Sequence, residues 1–398
     1  MQQRPAISLP EPDAVSAAHS LQVAAHVREK IAAAGGSISF AAFMHEVLYA
    51  PGLGYYSAGA TKFGAAGDFV TAPEVSSLFG YVIARQCAPV LAEVRGERGS
   101  ACMLEIGAGS GKLAADLLTR LASLNALPDE YLILEVSPDL KERQENFLQD
   151  VVPELAARVA WVDQLPNQFS GVIVANEVLD ALPVERFIRR ASHIAQLCVA
   201  VEENAFVSLE RPAPPALVAA VAEIEGQIGR HLPDGYISEV SLAAPPWVAD
   251  VAAALQKGVV LFFDYGVGRS DYYAADRSDG WLRCHFRHHA HSDPLILPGI
   301  QDITSWVDFS AVAAAAVDAG LAVAGYVSQA HFLMNGGIAE ELRHFTELPP
   351  DAQVKLSGEV KLLTLPGEMG EHFKCLGLSR EFDRGLASLE TMDRTLSL

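Results

Sequence analysis

A glycine-rich segment in the first third of the chain constrains the fold more than any other feature. Residues 103–112 read Met-Leu-Glu-Ile-Gly-Ala-Gly-Ser-Gly-Lys, so a short apolar run containing one acid is followed by alternating glycines. Glycine adopts positive φ at little steric cost, and it lets a ligand come close to backbone N–H groups. The pattern is therefore typical of a buried strand, a tight turn and the start of a helix that together bind a nucleotide.

The spacing of the glycines indicates which nucleotide the loop binds. The dinucleotide fingerprint needs a third glycine where Lys112 stands, and a phosphate-binding P-loop needs Ser or Thr where Leu113 stands. An acid two residues ahead of alternating glycines instead resembles the first motif of class I S-adenosylmethionine (SAM) methyltransferases. SAM carries an ammonium and a sulfonium but no phosphate, so a carboxylate suits it. A purely structural glycine turn is the alternative for this motif taken alone. The cofactor-binding candidates in the loop are Glu105, Gly107, Gly109 and Gly111.

Apolar runs alternate with helical patterns after the loop. Continuous apolar runs of this kind are typical of parallel strands that are covered on both faces. The expected fold is α/β, with a class I SAM-methyltransferase (Rossmann-like) sheet that is mainly parallel and has helices on both faces. We predict strands at 102–106, 131–136, 159–162, 171–175, 259–263, 321–327 and 373–378.

Two long segments interrupt the alternation after the fourth and fifth strands. We predict a flexible arm at 1–15, an N-terminal helical cap with a glycine-rich lid loop at 16–100, and the methyltransferase domain at 101–398. The two insertions in that domain span about 182–257 and 267–308. Both leave the sheet edge at which open α/β folds bind ligands, so we expect them to build the substrate cleft.

Two acids end the strands that follow the glycine loop. In nucleotide-binding α/β folds an acid after the second strand accepts the ribose hydroxyls, and Glu135 stands at that position. Asp163 ends the third strand, where a carboxylate can meet the N6 donor of adenine. Both residues therefore join the predicted cofactor site.

A second group of polar residues follows the fourth strand. Asn176, Glu177 and Asp180 lie within Asn-Glu-Val-Leu-Asp, at the edge where the methyl donor is expected. Buried carboxylates are costly unless they are paired, and a planar guanidinium with five donors suits two carboxylates. The hypothesis is that these residues are catalytic, with Glu177 and Asp180 holding a substrate arginine in line with the sulfonium and its methyl group. Helix capping by Asn176 or Asp180 is the alternative.

The charge balance bears on the partner. With 29 Lys and Arg against 49 Asp and Glu, the formal net charge is −20, which argues against nucleic-acid binding and suits a basic protein target.

The 5 cysteines are scattered without a Cys-x-x-Cys pair, as in a reducing compartment. No apolar run reaches the ~18 residues of a membrane span, and no signal or transit design is recognised, so we expect a cytoplasmic protein.

Taken in order, the motifs resemble the MidA-like family of SAM-dependent methyltransferases, which includes a mitochondrial complex I assembly factor. The resemblance runs collinearly from about 40 to 376. It implies methylation of an arginine in a protein, with a respiratory NADH dehydrogenase subunit as the target of the mitochondrial members. One departure is Ala108, where the family commonly has Pro. The matching segments are 54–56, 67–74, 104–107, 134–138, 175–183, 264–266, 298–299, 302–304, 307–309, 369–370 and 373–374.

Further residues are candidates for the substrate side of the site or for a lid over the cofactor. A neutral histidine can accept the proton that methylation releases, acids can line a channel for a basic target, and a closing loop excludes water. These candidates are Asp68, Thr71, Glu74, Asp264, His285 and Asp302. The run 284–291 contains Cys and His, but we predict no metal site, because no Cys-x-x-Cys pair supports it.

Three alternatives to arginine methylation stay open. An assembly chaperone that binds SAM without essential catalysis has the same cofactor motifs. A methyltransferase acting on a small molecule or on RNA is the second, although the negative charge disfavours RNA. An NAD-linked oxidoreductase is the third, and Lys112 at the third glycine position disfavours it.

Overall fold

The structure is a computed structural model that describes residues 9–57 and 71–398. Its strands are β1 (Ser37–Ser39), β2 (Cys102–Ile106), β3 (Glu130–Leu134), β4 (Val159–Val162), β5 (Phe169–Asn176), β6 (Glu185–Arg190), β7 (His193–Glu202), β8 (Ala205–Pro212), β9 (Ile237–Val240), β10 (Leu255–Val267), β11 (Leu282–Phe286), β12 (His289–His291), β13 (Asp302–Ser305), β14 (Val307–Asp308), β15 (Ala322–Ser328) and β16 (Phe373–Arg380). Its helices are α1 (Ala14–Ala33), α2 (Phe40–Tyr49), α3 (Ala72–Val75), α4 (Ser77–Arg98), α5 (Lys112–Ser123), α6 (Pro138–Val151), α7 (Pro153–Ala156), α8 (Pro215–Gln227), α9 (Ala244–Ala254), α10 (Arg269–Tyr272), α11 (Phe309–Asp318), α12 (Gln329–Gly336), α13 (Ile338–Glu341), α14 (Pro350–Thr364), α15 (Met369–His372) and α16 (Ala387–Glu390).

The chain forms two compact units, each made of separate segments. Within the described residues, the α/β unit comprises 71–180, 244–272 and 306–398. The accessory unit comprises 9–57, 181–243 and 273–305. Within the described residues, neither unit contains a helix that is long and apolar enough to cross a membrane.

The α/β unit is built on a mixed, mostly parallel sheet with the strand order β15-β16-β10-β5-β2-β3-β4. From β10 to β4 the neighbours are parallel, whereas β16 runs antiparallel to both β10 and β15. The order reverses at β2, because β3 and β4 lie on one side of it and β5 lies on the other. Such a reversal opens a crevice at the carboxyl ends of the strands, which is where open α/β sheets bind ligands. The predicted fold class is confirmed.

Helices cover both faces of this sheet, as neighbouring residues of β10 show. Side chains alternate between the faces of a strand, so Phe262 and Phe263 point in opposite directions. Phe263 packs edge-on against Phe79 of α4 with ring centroids 5.2 Å apart. Phe262 lies 5.7 Å from the ring of Trp247 on α9. Both phenylalanines are buried, and the sheet therefore has an apolar core on each side.

The accessory unit has its own antiparallel sheet, with the pairing order β1-β7-β6-β9 and with β8 also paired to β7. A smaller sheet has the order β12-β11-β13. Ser39 caps α2, since its side chain accepts a hydrogen bond from the N–H of Ala42. The core of this unit joins residues from all three segments, including Phe43, Val199 and Ile303.

The observed units differ in their bounds from the predicted domains. Helix α1 begins at Ala14, inside the expected flexible arm, because the side chain of Asp13 caps it. Helix α4, expected in the N-terminal cap, belongs to the α/β unit, where its apolar side joins the core of the sheet. The insertions are also shorter than expected, at 181–243 and 273–305, because α9 and the end of β10 belong to the α/β unit.

Candidate active site

The glycine loop lies between β2 and α5, at the reversal point of the sheet. Gly107, Gly109 and Gly111 have φ of 70°, 55° and 86°, in the left-handed region that favours glycine. A Cβ on Gly107 would come within 3.0 Å of Cγ2 of Val178, in the segment that follows β5. The loop therefore needs its glycines for backbone conformation, and at Gly107 also for contact with the predicted catalytic segment.

Glu105 lies on β2 just before this loop and is almost entirely buried, with 2% exposure. The buried phenol of Tyr131, on β3, donates a hydrogen bond to its Oε2 at 2.5 Å. Burial raises the pKa of Glu105 from its usual 4.5 to about 7, and the hydrogen bond from Tyr131 opposes part of that rise. The carboxyl group would be stabilised in its charged form by a cation such as the ammonium of SAM.

Glu135 and Asp163 follow β3 and β4, the two strands beyond β2. The N–H of Ser137 donates to Oε1 of Glu135 at 2.8 Å, which fixes the carboxylate at the strand end. Asp163 is exposed. Between them in sequence, Val136 is an aliphatic residue with 74% of its surface exposed. The neighbouring strand ends thus present two acids and one apolar side chain.

The end of β5 and the segment after it carry the predicted catalytic residues, one of which has a strained backbone. Glu177 has φ of 54°, which is uncommon for a residue with a side chain, and its N–H donates to the carbonyl of Phe263 at 2.9 Å. Nδ2 of Asn176 donates to Oε1 of Glu177 at 3.1 Å. Oδ1 of Asn176 is buried and has no hydrogen-bond partner in the described part of the chain. Such a buried acceptor and a strained backbone fit a ligand site better than a helix cap.

Asp264 lies inside β10 and is fully buried. Its Oδ2 accepts hydrogen bonds from the N–H groups of Leu179 (2.9 Å) and Asp180 (3.2 Å), and its Oδ1 accepts from Tyr265 (2.9 Å). Burial raises the pKa of Asp264 well above its usual range, and the neighbouring carboxylates of Asp180 and Glu177 raise it further. Three carboxyl groups are thus close together, and a cation would relieve their repulsion.

Two of the lid candidates lie in or beside α3, and one of them contacts the glycine loop. Glu74 accepts a hydrogen bond from the hydroxyl of Ser110, within the loop. Thr71 stands at the N-terminus of α3, without a side-chain capping bond. Asp68 lies outside the described residues.

The last two candidates, His285 and Asp302, lie in the accessory unit, opposite each other on β11 and β13. Asp302 is buried and accepts a hydrogen bond from the hydroxyl of Tyr56 at 2.8 Å. Burial lowers the pKa of His285 and so favours its neutral form. Across the described ranges, no group of three or more His, Cys, Asp or Glu side chains is arranged to hold a metal ion.

Sequence reasoning missed Tyr131 and Gln144, which contact predicted cofactor residues. The sequence places Tyr131 in a strand, and alternation along that strand is the signal that predicts which side chains share its face. Gln144 lies in a helix rich in charged residues, and its sequence context contains no signal that it is buried.

The strand order, the glycine loop at the reversal point and the acid after β3 define a class I SAM-dependent methyltransferase. A family model described as "Putative S-adenosyl-L-methionine-dependent methyltransferase" matches residues 82–327, which is more than half of the chain. The chain belongs to this family.

Individual relatives agree with the family. This chain is similar to a Burkholderia thailandensis protein whose crystal structure contains S-adenosyl-homocysteine, with 43% identity, coverage of 98% of this chain and 100% of that chain, and a TM-score of 0.90. It is also similar to "Protein arginine methyltransferase NDUFAF7, mitochondrial" of Danio rerio, with 29% identity over 88% of this chain and 85% of that protein. The Drosophila melanogaster homolog of the same name is 29% identical over 92% of this chain and 87% of its own length. The predicted cofactor, SAM, is confirmed.

Proposed function

We propose that this protein transfers a methyl group from SAM to an arginine side chain of a protein substrate. The observation that carries the proposal is the group of three carboxyls formed by Glu177, Asp180 and Asp264, next to the glycine loop. A guanidinium stays protonated and offers five donors, so it both neutralises such a group and bonds to it. The relatives that are named arginine methyltransferases support the same conclusion.

The cofactor side of the site follows from the strand ends. In this proposal Glu105 and the glycine loop hold the methionine part of SAM, and Glu135 accepts hydrogen bonds from the ribose hydroxyls. Asp163 meets the adenine N6, and the exposed side chain of Val136 covers one face of the adenine. Glu74 reaches the loop through Ser110 and supports its conformation.

The substrate side depends on Glu177 and Asp180. When bound, SAM supplies an electrophilic methyl group on its sulfonium. The two carboxylates accept N–H bonds from the guanidinium and orient one nitrogen toward that methyl group. As the new N–C bond forms and the S–C bond breaks, one N–H proton leaves the nitrogen for a carboxylate of the group. Asp264 acts as a positioning residue, because its Oδ2 accepts hydrogen bonds from the backbone N–H groups of Leu179 and Asp180.

The decisive variant is Glu177→Gln, which keeps the size of the side chain and removes its charge. We expect it to abolish arginine methylation while the dissociation constant for S-adenosyl-homocysteine, measured by calorimetry, stays within a factor of about two. Glu203→Gln is the matched control, since Glu203 also has positive φ (47°) but is an exposed residue of the accessory unit. Full methylation by Glu177→Gln would rule out this carboxylate as the residue that holds the arginine.

The substrate is identified by mass spectrometry of methylarginine in cells with and without the protein. A respiratory NADH dehydrogenase subunit is the first candidate, given the resemblance to the MidA-like family. Cells that carry Glu177→Gln separate catalysis from assembly: we expect them to match the deletion. If they instead behave as wild type while lacking the modification, the protein acts as a SAM-binding assembly chaperone.

The compartment is proposed to be the cytoplasm. All five cysteines are free thiols, and four of them are buried, as expected for a protein of a reducing compartment. The relatives with the arginine methyltransferase name are mitochondrial. Fractionation of cells with an antibody against this chain distinguishes the two locations.

A further inference from the structure

Gln144 is a fully buried polar residue on a helix that is otherwise largely exposed. The buried residues of α6 are Leu140, Gln144 and Leu148, which share one side of the helix. The amide of Gln144 therefore lies in the middle of the buried side of α6. Burying a side-chain amide is costly unless its polar atoms are hydrogen-bonded. The partners of this amide therefore indicate why it is there.

Both ends of the amide are bonded, and all of the partners belong to the proposed cofactor site or to its walls. Nε2 donates to the carbonyl of Gly109 at 3.0 Å and to Oε2 of Glu135 at 3.1 Å. Oε1 accepts from the indole N–H of Trp161, on β4, at 2.9 Å. The side chain of Gln144 thus connects the glycine loop, Glu135 and β4, which is the strand that precedes Asp163.

The chemistry of the partners fixes the orientation of the amide. An indole N–H can only donate, so it must face the amide oxygen, and the NH₂ group is then directed at Glu135 and Gly109. The other carboxylate oxygen of Glu135 already accepts from the backbone N–H of Ser137. Both oxygens of Glu135 are therefore oriented by fixed donors, and a carboxylate held in this way is suited to accept hydrogen bonds from two vicinal ribose hydroxyls.

We propose that Gln144 is a positioning residue for the ribose of the cofactor, acting through Glu135 and through the carbonyl of Gly109. The inference rests on the proposed role of Glu135 at the ribose. Gln144 touches no reacting atom, so its effect lies in the affinity and selectivity for the nucleoside and not in methyl transfer itself.

The test compares the binding of S-adenosyl-homocysteine with that of its 2′-deoxy analogue by calorimetry. For wild type we expect the analogue to bind about tenfold more weakly, because it lacks one of the hydrogen bonds to Glu135. For Gln144→Met, which keeps the volume and removes the amide, we expect S-adenosyl-homocysteine to bind about tenfold more weakly and the ratio between the two ligands to fall below about three. General damage to the fold would weaken both ligands equally and leave the ratio unchanged.

Gln86→Met is the matched control. Gln86, on α4, is also buried and bonded at both ends of its amide, but its partners are the carbonyl of Gly336 and the N–H of Ser388, neither of which belongs to the predicted cofactor residues. We expect this control to lower the melting temperature without changing the ratio of the two dissociation constants. If Gln144→Met does not fold, Trp161→Phe removes the indole donor while Gln144 stays in place, and it should lower the ratio in the same direction.

Coupling to Glu135 completes the test. In a double-mutant cycle, Gln144→Met should weaken binding of S-adenosyl-homocysteine much less when Glu135 is already Gln. An unchanged ratio in Gln144→Met, or additive effects in the cycle, overturns the proposal. Equal binding of both ligands by wild type shows that Glu135 does not hold the ribose and overturns both assignments, whereas absence of any binding overturns the proposed cofactor site as a whole.

Discussion

Glu105 lies near the end of β2, just before the glycine loop, and is almost completely buried. Burial raises its pKa to about 7. In the unfolded chain the same group ionises near 4.5, so between these two values the folded protein binds more protons than the unfolded one. The contribution of Glu105 to stability is therefore full below pH 4.5 and is lost as the pH rises toward and through 7.

Glu105→Gln tests this pH dependence. We expect the variant to gain free energy of unfolding relative to wild type as the pH is raised from about 5 to about 8, because Gln keeps the bond from Tyr131 and carries no charge. The measurement is urea denaturation at several pH values. Glu130→Gln, at an exposed position on β3, is the control and should show no such trend. A constant difference between Glu105→Gln and wild type across this range would contradict the raised pKa.

Single residues differ in how far the sequence predicts their role. The glycines of the loop and Glu105 can be predicted as cofactor residues from the sequence, because their backbone requirements and strand position are local. Gln144 is not identified, since its three partners lie on the glycine loop, after β3 and on β4. Asp264 could be placed at the correct strand, but its bonds to the backbone of Leu179 and Asp180 connect residues more than eighty positions apart.

At the scale of elements, the central strands depend on glycines that have no side chain to pack. Gly171 on β5 has φ of 143°, and a Cβ there would lie 1.9 Å from the carbonyl oxygen of Cys102 on β2. Gly258 on β10 has φ of 130°, and its Cβ would lie 1.9 Å from the carbonyl oxygen of Gly171. Backbone atoms cannot rotate away as a flexible side chain can, so the three strands approach one another only because these positions are glycine.

Gly171→Ala should therefore destabilise the protein by about 3 kcal/mol or more, through steric overlap and an unfavourable φ. Gly96→Ala is the comparison, since Gly96 lies inside α4 with nothing within 4 Å of its missing Cβ. There alanine should stabilise the protein by about 0.5–1 kcal/mol, because it restricts the unfolded chain and favours the helix. Urea denaturation measures both. Similar small effects at the two positions would show that β2 and β5 can separate at little cost.

Element types were predicted well where the pattern is local, and bounds less well where pairing decides them. Strand β2 has the predicted residues Cys102–Ile106, and β4 has the predicted Val159–Val162. Strand β10 was predicted at 259–263 but extends over Leu255–Val267. Most of its extra residues, such as Lys257, Gly258 and Asp264, are polar or glycine. Pairing with β5, β14 and β16 holds the extra residues in the strand, which the sequence of β10 alone does not reveal.

At the scale of the whole molecule, the division into units was the least predictable feature. The accessory unit is assembled from segments far apart in the chain, as the pairing of Ser39 with Cys198 between β1 and β7 illustrates. No local pattern in 9–57 indicates that its short strand joins a sheet formed by residues near 200. By contrast, the α/β unit follows the regular alternation of apolar runs and helices, so its strand order agrees with a known fold.

The formal net charge of −20 is a property of the whole chain, and it has a consequence for the proposed protein substrate. Electrostatic attraction brings a basic target to an acidic enzyme faster, and salt weakens it, since the screening length falls from about 10 Å at 0.1 M to about 3 Å at 1 M. We expect the KM for a basic, arginine-containing peptide to rise several-fold between about 50 mM and about 500 mM salt. The dissociation constant of S-adenosyl-homocysteine, a ligand without net charge, should change by less than about twofold.

A second peptide makes this prediction specific to long-range attraction. It keeps the target arginine and replaces the flanking lysines with glutamines, so that the bonds to Glu177 and Asp180 are retained while the attraction by the whole molecule is reduced. Its KM should be higher at low salt and nearly independent of salt, because the remaining contacts are short and partly buried. If both peptides depend on salt equally, the dependence comes from the guanidinium in the site, and the overall charge of the molecule does not guide the substrate.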